Sequence, residues 1–368
     1  MQEFNLETYL NQGIENMIKG ILKASLKNPK ASLFFMQYAK DSRKAEEVRK
    51  IAAKRGEHVP AFLIASITTQ CNLHCKGCYA RANHSCFDGE REGMPRLLSA
   101  EKWKEIFAEA AELGIGFILL IGGEPFVRKD VLLAAGEQKN LLFPIFTNGT
   151  MITGEYLELL KKNRNLLPVL SIEGGEKTTD ERRGKGVYHL LQDTMQKLEE
   201  SGILYGASVT VHKENMEEVL SDDFITGLAS KGCKAVIYVE YVPTTEESKT
   251  LALGEKERVV MAEHLSEIRA RWNEMIFVSF PGDEKSSGGC LAAGRGFFHI
   301  NAYGGAEPCP FSPYSDTSLT DIPLKEALKS PLFMKLQQNG ELLEEHIGGC
   351  VLYEKEKQVK ALLEGESV

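Results

Sequence analysis

Between residues 60 and 240 short apolar runs alternate with longer amphipathic ones, and this alternation restricts the fold more than any other feature. Strands are expected at 62–68, 117–121, 142–147, 168–172, 205–211 and 235–241. Helices are expected at 99–113, 129–138, 153–162, 187–200, 216–231 and 255–273. Ser99 gives the first of these helices a capped start and Gly114 a stop. Repeated strand–helix units build a parallel sheet with helices outside, so the fold class is α/β, a partial (β/α)6 TIM-like barrel. Chemistry in such sheets gathers at the carboxyl ends of the strands. Every unusual stretch falls there. A cysteine loop follows the first expected strand, Gly122-Gly123-Glu124-Pro125 the second, Thr147-Asn148-Gly149 the third, and Ser171-Ile172-Glu173-Gly174-Gly175 the fourth.

The cysteine loop carries Cys71, Cys75 and Cys78 at Cys-x3-Cys-x2-Cys spacing. Three thiolates so close together are metal ligands more readily than packing residues. A zinc knuckle would need a fourth ligand, His74 or His84, and normally pairs two Cys-x2-Cys hooks. A four-iron cubane held by three cysteines instead keeps one iron open to a small chelating molecule.

This spacing resembles the signature of the radical S-adenosylmethionine (SAM) superfamily. The resemblance implies a 4Fe-4S cluster whose open iron takes the amino and carboxylate groups of SAM, and release of a 5′-deoxyadenosyl radical on reduction. It further implies a SAM site built from Gly122, Gly123, Glu124 and Pro125, from Thr147 and Asn148, and from Ser171 and Glu173. Glycines let backbone approach closely, and Glu124 is expected to accept from the SAM ammonium group or to fix the loop. The run Thr179-Asp180-Glu181-Arg182-Arg183-Gly184 is similar to a segment of the peptide-modifying branch, which makes Arg183 the expected partner of the SAM carboxylate. Residues 211–215 match the segment that borders adenine. One position departs from the pattern: the family usually has an aromatic residue before the third cysteine, where this chain has Gly77. Tyr79 is the expected cover for adenine in its place.

Beyond residue 280 the pattern changes. Cys290 and Cys309 bracket a glycine-rich hairpin expected at 295–301 and 306–308, helix-like stretches follow at 322–339 and 341–346, and Cys350 precedes a terminal helix near 352–363. The spacing Cys290-x13-Gly304-x4-Cys309 resembles the opening of the auxiliary-cluster extension of the SPASM and Twitch branches. The crowded cysteine run of a full SPASM domain is missing, so the shorter Twitch form is implied, with one auxiliary iron–sulfur cluster on Cys290, Cys309 and Cys350. Either a non-cysteine side chain completes that shell or one iron stays open. Three unrelated cysteines are the alternative. Cys233 reads as structural, and Cys86 lies near the mouth.

Residues 6–55 read as helices, with seven Lys or Arg against Asp41 alone between residues 16 and 45. Such a segment either caps the barrel with its lysines in water, lies on a membrane surface, or grips an anionic substrate. The expected domains are therefore 1–58, a helical extension; 59–280, the barrel; and 281–368, the auxiliary-cluster domain. A net charge of −8 argues against a nucleic-acid partner. No apolar run reaches transmembrane length and no secretory signal opens the chain, so a cytoplasmic location is expected, with membrane association through the N-terminal helices as a variant. The expected function is hydrogen abstraction from a substrate C–H group, with the auxiliary cluster aiding oxidation or C–C or C–S bond formation. A flavodoxin or ferredoxin reductase and a peptide, lipid or other small-molecule substrate are the expected partners. Candidate mouth residues are Glu240 and Tyr241 on the sixth strand, and Asp283; the first two are the candidate catalytic residues. The rival reading is a non-catalytic iron–sulfur electron carrier or scaffold.

Overall fold

A computed structural model describes residues 6–26, 28–89, 93, 95–286, 288–338 and 349–365. Its centre is one nine-stranded sheet: β1 (Phe62–Ser66), β2 (Phe117–Ile121), β3 (Phe143–Thr147), β4 (Leu166–Ser171), β5 (Gly206–Val211), β6 (Ala235–Glu240), β7 (Ile276–Phe280), β8 (His299–Ile300) and β9 (Ala306–Glu307). The order across the sheet is β7-β6-β5-β4-β3-β2-β1-β8-β9. Pairs β1 to β7 are parallel, each strand beside its successor, and β8–β9 is an antiparallel hairpin. The sheet ends on β7 at one side and β9 at the other, so it is an unclosed barrel.

All six expected strands form. The structure adds a seventh parallel strand, β7, paired from Ala235↔Ile276 to Val239↔Phe280. The helix expected at 216–231 is two, Met216–Val219 and Asp222–Ser230, because Ser221 turns out of helical geometry and its hydroxyl accepts from Phe224 N to cap the second. The hairpin forms, and β8 adds in parallel to β1, with Ile64↔His299 and Ala65↔Ile300 in register. The segment beyond residue 280 thus shares the barrel's sheet. The helix expected at 341–346 lies outside the described residues.

The N-terminal extension is two helices, α1 (Leu6–Ser25) and α2 (Pro29–Lys54). Ala31, Phe35 and Tyr38 form one buried stripe of α2, spaced to share a helical face, and pack with Phe117 and Leu142. Tyr38 Oη donates to Gly116 O at 2.9 Å, and Arg49 donates to Gly114 O. Both carbonyls precede β2, so α2 plugs the amino ends of the strands, the rim opposite the chemistry. The contacts of α2 thus lie at the amino ends of the strands, whereas the cysteine and glycine loops leave the carboxyl ends.

Candidate active site

The cysteine loop leaves β1 and is anchored at both ends. Asn148 Nδ2 donates to Asn72 Oδ1 at 2.8 Å, Asn72 Nδ2 to Thr150 Oγ1 at 2.8 Å, and Lys76 N to Arg182 O at 2.7 Å. Arg81 donates to the carbonyls of Cys71 and Leu73, at 3.3 and 2.9 Å, and gathers the loop from within. Cys71, Cys75 and Cys78 are half-buried free thiols. Asn148 Nδ2 points at Cys71 Sγ (4.0 Å) and Arg183 Nη1 at Cys75 Sγ (3.9 Å), donors suited to thiolates. A hydrogen bond from Cys86 lowers the Cys71 pKa and correspondingly raises that of Cys86.

The Gly122-Gly123-Glu124-Pro125 loop lies against this loop, backbone on backbone. Gly123 N donates to Thr68 O (2.9 Å) and Glu124 N to Gln70 O (2.7 Å). A Cβ on Gly123 would stand 2.0 Å from Gln70 O; one on Gly122, where φ is +134°, would stand 2.4 Å from Thr68 O. Here the glycines admit neighbouring backbone. Gly123→Ala is therefore expected to destabilise the fold by at least ~1–3 kcal/mol, read from the urea midpoint; an unshifted midpoint contradicts this packing. Of the two jobs expected for Glu124, the geometry supports fixing the loop. Its carboxylate accepts from Phe126 N (3.1 Å), Thr147 Oγ1 (2.7 Å) and Asn148 N (2.8 Å), and burial lifts its pKa to about 7. Pro125 opens the short turn behind it.

Glu173 and Arg183 make a buried hub. Glu173 is 0% exposed and accepts from Arg182 Nη1 (2.6 Å), Arg183 Nε (2.8 Å) and Thr210 N (3.1 Å). Two guanidiniums on one carboxylate leave a net positive charge beside Cys75, and Arg182 was not anticipated from sequence. Ser171 ends β4 opposite Ser208 of β5. Burial lowers the His212 pKa in the segment after β5.

Tyr79 departs from its expected surroundings. Its hydroxyl donates to Phe311 O at 2.8 Å, and its ring packs edge-on against Phe311 and Tyr353, with centroids 4.8 and 6.2 Å away. Tyr241 lies on the other side of the loop: a Cβ on Gly77, where φ is +65°, would be 2.8 Å from its hydroxyl. Glu240 is a tether, its carboxylate accepting from Arg258 Nε (2.9 Å) and Gly349 N (3.0 Å) next to Cys350.

Cys290, Cys309 and Cys350 line one cavity of about 310 Å³, which reaches Glu240, Tyr241 and Glu284. Burial pushes all three thiols up, Cys350 to about 12. Thiols so placed ionise only when a cation supplies the compensating charge. Among the described residues no three His, Cys, Asp or Glu converge on a single metal ion. Two sets of three cysteines are donors of the kind that hold iron–sulfur clusters.

An open parallel barrel with a three-cysteine loop at the carboxyl end of its first strand places three ligand-type thiols on the rim where such sheets carry their chemistry. The model of the Radical SAM superfamily matches residues 65–223, and the chain carries a radical SAM domain there. The superfamily's cofactors are a 4Fe-4S cluster and SAM, and the residues present fit both. The chain is similar to an Fe-coproporphyrin III synthase of Methanosarcina barkeri, 32% identical over 50% of this chain and 44% of that one. It is also similar to the sporulation killing factor maturation protein SkfB of Bacillus subtilis, 27% identical over 77% of this chain and 66% of that one. The chain thus spans under two thirds of the length of each. In fold it is similar to SuiB of Streptococcus suis bound to SAM, with TM-score 0.66, 19% identity, and coverage of 88% of this chain and 79% of that one.

Proposed function

We propose that the chain abstracts a hydrogen atom from a C–H group of a peptide, and that Cys290, Cys309 and Cys350 hold a Twitch-type auxiliary cluster that aids the ensuing oxidation or C–C or C–S bond formation. One observation carries this reading: the two cysteine sets are joined by a single wall. Tyr79 directly follows Cys78 and bonds the carbonyl two residues past Cys309, while Tyr241 touches the first loop and lines the second cavity. When bound, the first cluster and SAM supply a 5′-deoxyadenosyl radical. The chain's own residues hold the parts in place. Arg81, Asn72 and Asn148 fix the cysteine loop, Glu124 fixes the glycine loop, and the Arg182–Arg183–Glu173 hub offers positive charge to a carboxylate. Ser171 at the rim is placed to meet the ribose. Glu240 ties the Cys350 segment to β6. The divisions 1–58, 59–280 and 281–368 serve as functional units, the last two sharing one continuous sheet, and a flavodoxin or ferredoxin supplies electrons. A peptide substrate is favoured because SkfB matures a killing factor and SuiB has been solved with its precursor peptide SuiA.

The test is anaerobic reconstitution, reduction with dithionite, and detection of 5′-deoxyadenosine from SAM, followed by incubation with deuterated candidate peptides and, separately, an iron coproporphyrin. Deuterium from a peptide in the 5′-deoxyadenosine supports the proposal. Transfer only from the porphyrin overturns the substrate class. No 5′-deoxyadenosine from a fully loaded cluster favours the electron carrier.

A peripheral membrane contact rests on a separate observation. Leu26 and Leu33 of the N-terminal segment are 73% and 68% exposed, with Met36 also exposed, among the segment's lysines. No described helix is long and apolar enough to cross a membrane. Leu26→Asp/Leu33→Asp/Met36→Asp is expected to reduce co-sedimentation with anionic liposomes several-fold. Unchanged pelleting ends the idea.

A further inference from the structure

We propose that Glu284 is the fourth protein ligand of the auxiliary cluster, its carboxylate taking the iron that Cys290, Cys309 and Cys350 leave uncovered. The inference rests on the auxiliary-cluster reading above. Glu284 sits in a short 3-10 turn, Gly282–Ser286, which leaves the end of β7, and its own N–H donates to Pro281 O at 2.7 Å. The turn folds the side chain inward, where it is 3% exposed and shares the wall of the 310 Å³ cavity with all three cysteines.

Charge counting identifies the missing occupant. Glu284, Cys290, Cys309 and Cys350 all line the one cavity, so the four acids face a common space. Two half-buried arginines stand near them. Arg295 donates to the carbonyls of Cys290 and Gly288, at 2.5 and 2.8 Å, and Arg258 is held by Glu240. Three thiolates and a carboxylate gathered in one buried cavity would be an excess of negative charge that a protein interior does not hold without a cation among them. Ferric or ferrous iron at the centre removes that excess and turns each acid into a ligand. A carboxylate is a competent iron ligand beside thiolates, and a shell of three sulfurs and one oxygen would leave no iron of this cluster open. The auxiliary site would then act on the substrate through electron exchange, without binding it directly.

The test uses the full chain with Cys71→Ala, Cys75→Ala and Cys78→Ala combined, so that iron reports on the C-terminal site alone. In this background, retained iron and sulfide, the electron paramagnetic resonance spectrum of the reduced protein, and its response to added cyanide are compared with Glu284 intact and as Glu284→Gln. Glu284→Cys is the restoring variant, and circular dichroism checks folding. With Glu284 intact, stable iron and a spectrum insensitive to cyanide are expected. Glu284→Gln should lose most of that iron on desalting, or keep it with a shifted, cyanide-sensitive spectrum, and Glu284→Cys should restore cyanide resistance with new g-values. Iron, spectrum and cyanide response all unchanged in Glu284→Gln overturn the ligand assignment while leaving the cluster in place. No iron with Glu284 intact overturns the auxiliary-cluster reading and this assignment with it.

Discussion

Cys75→Ala is expected to reduce 5′-deoxyadenosine formation from SAM to background while iron at the C-terminal cysteines is retained. A cluster on three thiolates has no spare ligand, and the described neighbours of Cys75 offer no substitute: Arg183 beside it is cationic. Cys86→Ala is the control. Cys86 touches Cys71 through a hydrogen bond and lies under the loop, so its loss should leave cleavage within several-fold of the parent. Reductive cleavage surviving in Cys75→Ala would remove the three-cysteine loop from the centre of the chemistry. Cys86→Ala matching Cys75→Ala in loss would mean that Cys86 belongs among the ligands.

Glu173→Ala is expected to cost the fold about 3–5 kcal/mol, because removing one partner of a buried ionic group strands the others. Two guanidiniums depend on this carboxylate, with side chains only 16% and 10% exposed, and Thr210 N loses its acceptor as well. Against a typical stability of about 5–15 kcal/mol, that is a large fraction. Urea denaturation of the cluster-free chain reads it directly. A change below about 1 kcal/mol would show that water reaches the hub freely and that the ion pairs matter little.

The parallel sheet was legible because its strands are continuous apolar runs set between amphipathic helices. β7 was not, since Ile276–Phe280 follows a long helix and precedes a change of pattern, so nothing in the alternation marks it as a seventh repeat. The addition of β8 to β1 joins residues more than two hundred apart, and two-residue strands carry no periodicity of their own. In the site, the ligand-like cysteines and the glycine loop announced themselves by spacing. Arg182 did not, because a second arginine beside Arg183 reads equally well as surface charge until Glu173 is seen buried between them. The absent aromatic before Cys78 has a spatial reason visible only in three dimensions. Gly77 sits at positive φ with the Tyr241 hydroxyl close to where a side chain would begin, so an aromatic ring reaches that spot from the residue after β6 instead. Glu284, a charged residue in a short turn, gave no signal at all.

The attachment of β8 to β1 also fixes when this protein can become whole. During synthesis β1 precedes its partner β8 by more than two hundred residues, and its outer hydrogen-bonding edge stays bare until residues 299 and 300 arrive. A bare strand edge invites pairing with other chains. A chain released before residues 299 and 300 have been made would keep that edge open and be aggregation-prone.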